Sequence, residues 1–203
     1  TGSATIAAPA DDVHLDAGAV SNIIASTSGG NFENVVNANG AGNPVSTTIT
    51  DTVDVTNLAL SAEANEVEGG TITYTATLDN ATDTAMTVNL SNGATITIAA
   101  GATSGSVDVA AQGDDVYVDP SAESVTITGT SGGNFESLVV NPAAATTAVA
   151  DTVDDTTVSL SATGSVDEGG SITYTASVDN AADGDMTVTL NDGTVITILN
   201  GQT

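Results

Sequence analysis

The chain has 203 residues, with no Lys or Arg, 26 Asp and Glu, one His and no Cys, and its formal net charge is −26. That balance excludes nucleic-acid binding and attraction to anionic membranes, since both need basic patches. The missing Cys excludes a disulfide framework, and no apolar run approaches the ~20 residues that membrane insertion as a helix requires.

Acidity on this scale often accompanies disorder, but disordered chains lack β-branched residues and regular alternation. Here Val, Ile and Thr recur between Gly, Asn and Asp, so an ordered β protein is expected. The aromatic residues are only Tyr 3 and Phe 2. A core of Val, Ile, Leu and Ala is thin for a domain of ~100 residues, and its stability before any ligand binds is expected to be marginal. No signal peptide is visible, and Thr1 in place of an initiator Met reads as the start of a fragment.

Taken in order, the chain repeats itself, and repeats decide architecture before any local signal. Asp11-Asp12-Val13, Asp16 and Thr27-Ser-Gly-Gly-Asn-Phe-Glu33 return 103 residues later as Asp114-Asp115-Val116, Asp119 and Thr130–Glu136. Asp51-Thr-Val-Asp54, at the end of one β-like segment and before the next, returns 100 residues later as Asp151-Thr-Val-Asp154. The three-residue difference is absorbed around 39–44. Glu68-Gly-Gly-Thr-Ile-Thr-Tyr-Thr-Ala76 returns at Glu168–Ala176, and Asp79-Asn80, Met86-Thr-Val88 and Gly93 return at the same displacement of 100. One complete repeat therefore spans 55–154. Residues 1–54 match the C-terminal half of a repeat, and 155–203 match the N-terminal half of the next.

Within the complete repeat, Ile72, Tyr74, Ala76 and Leu78 alternate with four Thr, which predicts a half-buried strand over 71–78. Met86, Val88 and Leu90 alternate likewise, as do Ile96 with Ile98, Val107 with Val109, and Val125 with Ile127. Ser91-Asn-Gly93 and Asn191-Asp-Gly193 predict hairpin turns, because Asn-Gly and Asp-Gly tolerate positive φ. About seven short strands in ~100 residues, with turns every 8–12, predict an all-β fold of tandem immunoglobulin-like antiparallel β-sandwich repeats.

That topology gathers carboxylates. The loop after the first strand carries Glu66 and Glu68, the loop before the sixth carries Asp114, Asp115 and Asp119, and the exit carries Asp151 and Asp154. All three lie at one end of such a sandwich, in a chain with no cation to neutralise them. Carboxylates alone suit a hard cation that takes six to eight oxygens, which is Ca²⁺. Asp11, Asp12, Asp16, Asp51, Asp54 and Glu168 are the same positions in the partial copies. At the opposite end, Asp79, Asn80, Asp83 and 131–136 are expected to face the preceding exit, Asp51 and Asp54, across a shared inter-domain site. The bland alternative is that acidic loops are only solvated and that Asp in turns only caps backbone N–H groups. The converging cluster favours calcium, whereas isolated Asp108, Glu123 and Asp192 favour the bland reading.

Other features carry no chemistry. His14, the only His, replaces Tyr117 of the other copy and has no second His or Cys to complete a transition-metal site. The Thr ladder at 71, 73, 75 and 77 reflects strand preference. Gly69-Gly70 and Gly132-Gly133 are not phosphate loops, because no Lys follows them.

The set formed by Glu-Gly-Gly-x-Ile-Thr-Tyr-Thr-Ala, Asp-Asp-Val-Tyr-Val-Asp119, Ser-Gly-Gly-Asn-Phe-Glu and Asp-Thr-Val-Asp resembles the tandem extender repeats of large bacterial biofilm adhesins exported by type I secretion, the Lap-type, RTX-like adhesins. The arrangement of Glu68, the 114–119 loop and the 151–154 exit is also similar to the acidic, calcium-binding end of Calx-β domains. The resemblance covers essentially the whole chain. Its one departure is Asp11-Asp-Val-His-Leu-Asp16, where His and Leu replace Tyr and Val without touching the carboxylates. It implies secretion, display on the bacterial cell surface, Ca²⁺ at and near the junctions, and a mechanical spacing role.

The expectation is therefore a non-enzymatic structural extender whose partners are adjacent repeats of the same protein or neighbouring copies in a fibre. Any glycan or surface target would lie elsewhere in the full protein. The alternative is a ligand-binding module for a glycan or for cell–cell adhesion, which would need an exposed aromatic platform. An enzyme is disfavoured because no nucleophile–base pair occurs in both copies.

Overall fold

The computed structural model describes residues 1–40 and 42–203. The repeat-length difference placed around 39–44 includes Ala41, which lies outside the described residues. Every regular element among the described residues is a strand: sixteen run from β1 (Gly18–Asn22) to β16 (Val195–Ile198). Among the described residues no helix is long and apolar enough to cross a membrane.

The strands form six sheets. β1 pairs antiparallel with β2 (Val45–Ile49), from Gly18↔Ile49 to Asn22↔Val45. A four-stranded sheet has the order β11 (Ser137–Val140), β3 (Val55–Ala62), β5 (Thr71–Leu78), β8 (Ser104–Ala110). A three-stranded sheet has the order β10 (Ile127–Gly132), β6 (Met86–Leu90), β7 (Thr95–Ile98). A second has the order β4 (Asn65–Val67), β12 (Ala145–Ala150), β9 (Ser121–Val125). Two hairpin-like pairs complete the chain: β13 (Val158–Ala162) with β14 (Tyr174–Val178), and β15 (Met186–Thr189) with β16.

By contacts the chain divides into two compact units. One comprises Thr1–Ser61, Tyr74–Val107 and Val125–Ala145, and the other comprises Ala62–Thr73, Asp108–Ser124 and Thr146–Thr203.

In the first unit the period-two pattern does what it predicts. Tyr74, Ala76 and Leu78 on β5 are buried, and so are Met86, Val88 and Leu90 on β6 and Ile96 and Ile98 on β7. Burying each large apolar side chain of this kind stabilises the fold by about 1.5–3 kcal/mol. The Ser91-Asn92-Gly93 turn joins β6 to β7 in the register Met86↔Ile98, with the Ala94 N–H donated to Asn92 Oδ1 at 3.1 Å. In the second unit Ala176, Val178 and Ile198 form a small buried cluster, flanked by Met186 and Val188.

Two findings depart from the expected pattern. The Val125–Ile127 run is not one strand: it breaks at Thr126 into β9 and β10, which join different sheets. Thr126 leaves both ladders to exchange bonds with Ser91, donating its N–H to the Ser91 hydroxyl at 3.1 Å. Breaks of this kind give residues 55–154 ten strands, β3 to β12, where about seven were expected. Pairing is also not wholly antiparallel, because β11 runs parallel to β3 and β12 runs parallel to β4. Parallel neighbours need a long crossover, and the intervening strands of the repeat supply it.

Candidate metal centre

The Glu-Gly-Gly motif is a tight turn that aims one carboxylate. Gly69 has φ 69°, a conformation that favours glycine, and a Cβ there would lie 3.3 Å from Asp114 Cβ. The turn is tied to both neighbouring segments. The Glu68 N–H donates to the Ala150 carbonyl at 3.0 Å, and the Gly69 N–H donates to the Gln112 carbonyl at 2.7 Å. β12 therefore delivers the Asp151 exit to one side of Glu68, and the 112–119 segment delivers Asp119 to the other.

Glu68, Asp119 and Asp151 meet there, each offering an oxygen within 4.8 Å of the others. Glu68 is 4% exposed, and neither of its carboxylate oxygens has a hydrogen-bond partner of ordinary geometry among the described residues. Asp151 Oδ1 is likewise buried and unpartnered. Desolvation, followed by the adjoining Asp119 and Asp151 carboxylates, pushes the Glu68 carboxyl up to about 7, although the Thr152 backbone N–H opposes this. Around the triad, the Thr152 hydroxyl donates to Asp114 Oδ1 and the Gln112 amide donates to Asp119 Oδ2.

A second acidic meeting point lies in the other unit. The Asp54 N–H donates to the Glu136 carboxylate, while Asp51 Oδ2 and Glu136 Oε1 are buried without partners. The Asp54 N–H holds the Glu136 carboxyl down, yet burial and the charges of Asp51 and Asp54 together leave it above its ordinary value. The exit carboxylates of one copy thus face Glu136 of the next, the residue that closes the Ser-Gly-Gly-Asn-Phe-Glu segment. In the same unit Asp11, Asp16 and Asp51 line one cleft with Thr52, whose hydroxyl donates to Asp11.

The remaining predicted residues stand elsewhere. Asp12 and Asp115 are outside the triad: each accepts a backbone N–H two residues on, from His14 at 2.7 Å and from Tyr117 at 2.8 Å. Asp154 and Glu168 are exposed and also outside it. Sequence reasoning had not singled out Thr52 and Thr152 as partners of Asp11 and Asp114. Their repetition after each exit Asp was the available signal.

The donor set tests what could bind. Three carboxylates with no nitrogen or sulfur form a hard oxygen site, suited to Ca²⁺ rather than to Zn²⁺. A buried Glu whose oxygens lack hydrogen bonds of ordinary geometry fits such an ion, because a cation would satisfy atoms that the Thr152 N–H serves only weakly.

These observations define a repetitive, acidic all-β segment with a cluster of three carboxylates, able to hold a metal ion, at a loop junction. The LapA domain family model matches residues 1–52, 54–152 and 154–203, leaving only positions 53 and 153 outside, and the chain belongs to that family. Membership points to a segment of a Lap-type adhesin and implies a structural role in a secreted, surface-displayed setting. No curated protein matches the chain.

Proposed function

We propose that the chain is an extender segment of a bacterial surface adhesin, with no catalytic role, whose immunoglobulin-like β-sandwich repeats are folded and stiffened by Ca²⁺. The carrying observation is Glu68, a buried carboxylate whose oxygens make no hydrogen bond of ordinary geometry, held against Asp119 and Asp151. Ca²⁺ would be held by Glu68, Asp119 and Asp151 and would cancel their mutual repulsion. Asp51, Asp54 and Glu136 would share a second ion between copies.

The repeats are read as 1–54, 55–154 and 155–203, the outer two being completed by neighbouring copies. Burial supports this phasing. Ile72 and Tyr74 are each 1% exposed, whereas Ile172 and Tyr174, at the same positions, are 55% and 44% exposed. The outer copy leaves open a face that the complete repeat covers.

The test is thermal unfolding with Ca²⁺ and with EDTA. An ion that binds only the folded state adds about 2.7 kcal/mol per site at one hundred times its Kd. The expected result is a large fall in Tm in EDTA that is poorly restored by Mg²⁺, which demands a smaller octahedral shell. An unchanged Tm in EDTA would overturn the calcium reading.

A further inference from the structure

We propose that the aromatic donor at positions 14 and 117 is a calcium-independent latch between successive copies, and that the backbone carbonyl of Ala81 or Ala181 is its receptor. This goes beyond the extender reading, because it assigns joint geometry to a ring and a carbonyl rather than to an ion.

The same bond occurs twice with different chemistry. In the first unit the His14 Nε2–H donates to the Ala81 carbonyl at 2.9 Å. In the second unit the Tyr117 hydroxyl donates to the Ala181 carbonyl at 2.8 Å. His14 and Tyr117 are equivalent positions, and so are Ala81 and Ala181, 100 residues apart. In each case the donor lies in one family-matched stretch and the acceptor lies in the next. An imidazole and a phenol share little except a flat ring with a donor at its far edge. A position that keeps that one property across both copies is read by its acceptor.

The segment around the ring is built to aim it. Asp12 and Asp115 cap the backbone N–H of His14 and Tyr117, fixing the turn from which each ring projects. At the first joint the surrounding backbone also engages. The Leu15 N–H donates to the Asn134 carbonyl at 3.1 Å and the Glu136 N–H donates to the Val13 carbonyl at 3.2 Å, making an antiparallel bridge. The His14 ring stacks on Phe135, with centroids 5.5 Å apart and planes at 23°. Phe32, the counterpart of Phe135 in the first copy, is 74% exposed, which marks the ring face that the latch covers at the joint. Tyr117 and Val116 line a cleft with Val178, Asn180 and Ala181 at the second joint. None of these contacts uses a carboxylate of the triad.

The test uses the 203-residue chain with paired nitroxide labels, one pair across each joint. Exposed Ser26 and Asn92 serve the first joint, and exposed Glu123 and Asn191 serve the second. The chain has no Cys, so each label can be introduced uniquely. The expected result is a narrow distance distribution at each joint in EDTA as well as in Ca²⁺. Tyr117→Ala should lose the narrow peak at the second joint only, and His14→Ala should lose it at the first only. His14→Tyr should keep it, and Tyr117→Phe, which retains the ring without the donor, should broaden it. Narrow distributions in both alanine variants would overturn the latch. So would a wild-type distribution that is broad in EDTA and narrow only with Ca²⁺, a result that leaves the calcium reading standing. A Tm insensitive to EDTA with the alanine effects intact would do the reverse.

Discussion

Glu68 is where sequence, fold and electrostatics meet at a single side chain. Its carboxyl titrates near 7 in the folded protein against an ordinary value of 4.5. The folded state therefore binds more protons than the unfolded chain across that interval. Stability from this group is fully present below about 4.5 and is lost as pH rises through about 7. In EDTA, Tm should fall between pH 5 and pH 8. Asp79, Asp179 and Asp192 cannot cause that fall, because hydrogen bonds hold their carboxyls below 3.8 and their contribution changes only in acid. Glu68→Gln should reduce the fall, leaving the part that Glu136, also held above its ordinary value, contributes. It should raise Tm in EDTA at pH 8 by removing a repelled buried charge. In Ca²⁺ the same change should lower Tm by removing a ligand. A variant that lowers Tm equally in both conditions would show that Glu68 is not an ion ligand. Most of this centre was legible in the sequence, because Glu68, Asp119 and Asp151 each sit in a repeated motif. The division of labour inside the 114–119 segment was not. Asp115 and Asp119 look alike in a string, and only the backbone turn decides that one caps Tyr117 while the other joins the triad.

At the scale of the strand, period-two alternation was a sufficient guide wherever one face is buried. β5 spans Thr71–Leu78, as Ile72, Tyr74, Ala76 and Leu78 indicate, and the Asn92-Gly93 turn sets the register of β6 with β7. The pattern fails at Val125–Ile127 because alternation continues through Thr126 while pairing switches from β12 to β6. Which edge a strand joins depends on partners distant in sequence. Gly132 shows a second limit. It ends the β10 ladder opposite Met86 with φ 83°, and a Cβ there would run into the Ala85 carbonyl oxygen. The Gly-Gly pair is thus a close backbone approach between two strands, and the sequence marked it only as not being a phosphate loop. Gly132→Ala should destabilise the protein by at least the roughly 1–3 kcal/mol of a left-handed non-glycine residue. Met86→Ala, which empties a fully buried site beside it, should cost roughly 2–5 kcal/mol. Urea midpoints measured in Ca²⁺ check both values, and a neutral Gly132→Ala would mean that the β10–β6 end is looser than its register implies.

Across the whole molecule the dominant fact is a charge of −26 with no Lys or Arg. Among the described residues the one close approach of a basic to an acidic side chain is His14 Nδ1 with Asp12 Oδ1 at 3.4 Å. Repulsion is therefore general, while the acidic meeting points at Glu68 and Glu136 are local, and two kinds of cation effect must be separated. Diffuse screening depends on ionic strength alone: the Debye length falls from about 30 Å at 0.01 M to about 3 Å at 1 M salt. Coordination depends on the ion, its radius and its demand for oxygen ligands. In EDTA, added NaCl should raise Tm gradually and without saturation, because it weakens repulsion between exposed loops while leaving the buried Glu68 carboxylate pressed against Asp119 and Asp151. Millimolar Ca²⁺ in high NaCl should still produce a further, saturable rise, since screening by bulk salt reaches a buried cluster poorly. Titrating Ca²⁺ and Mg²⁺ at matched ionic strength distinguishes the two effects. Superimposable curves for the two ions would mean that the chain only gathers counter-ions, and that neither Glu68 nor Glu136 marks a site.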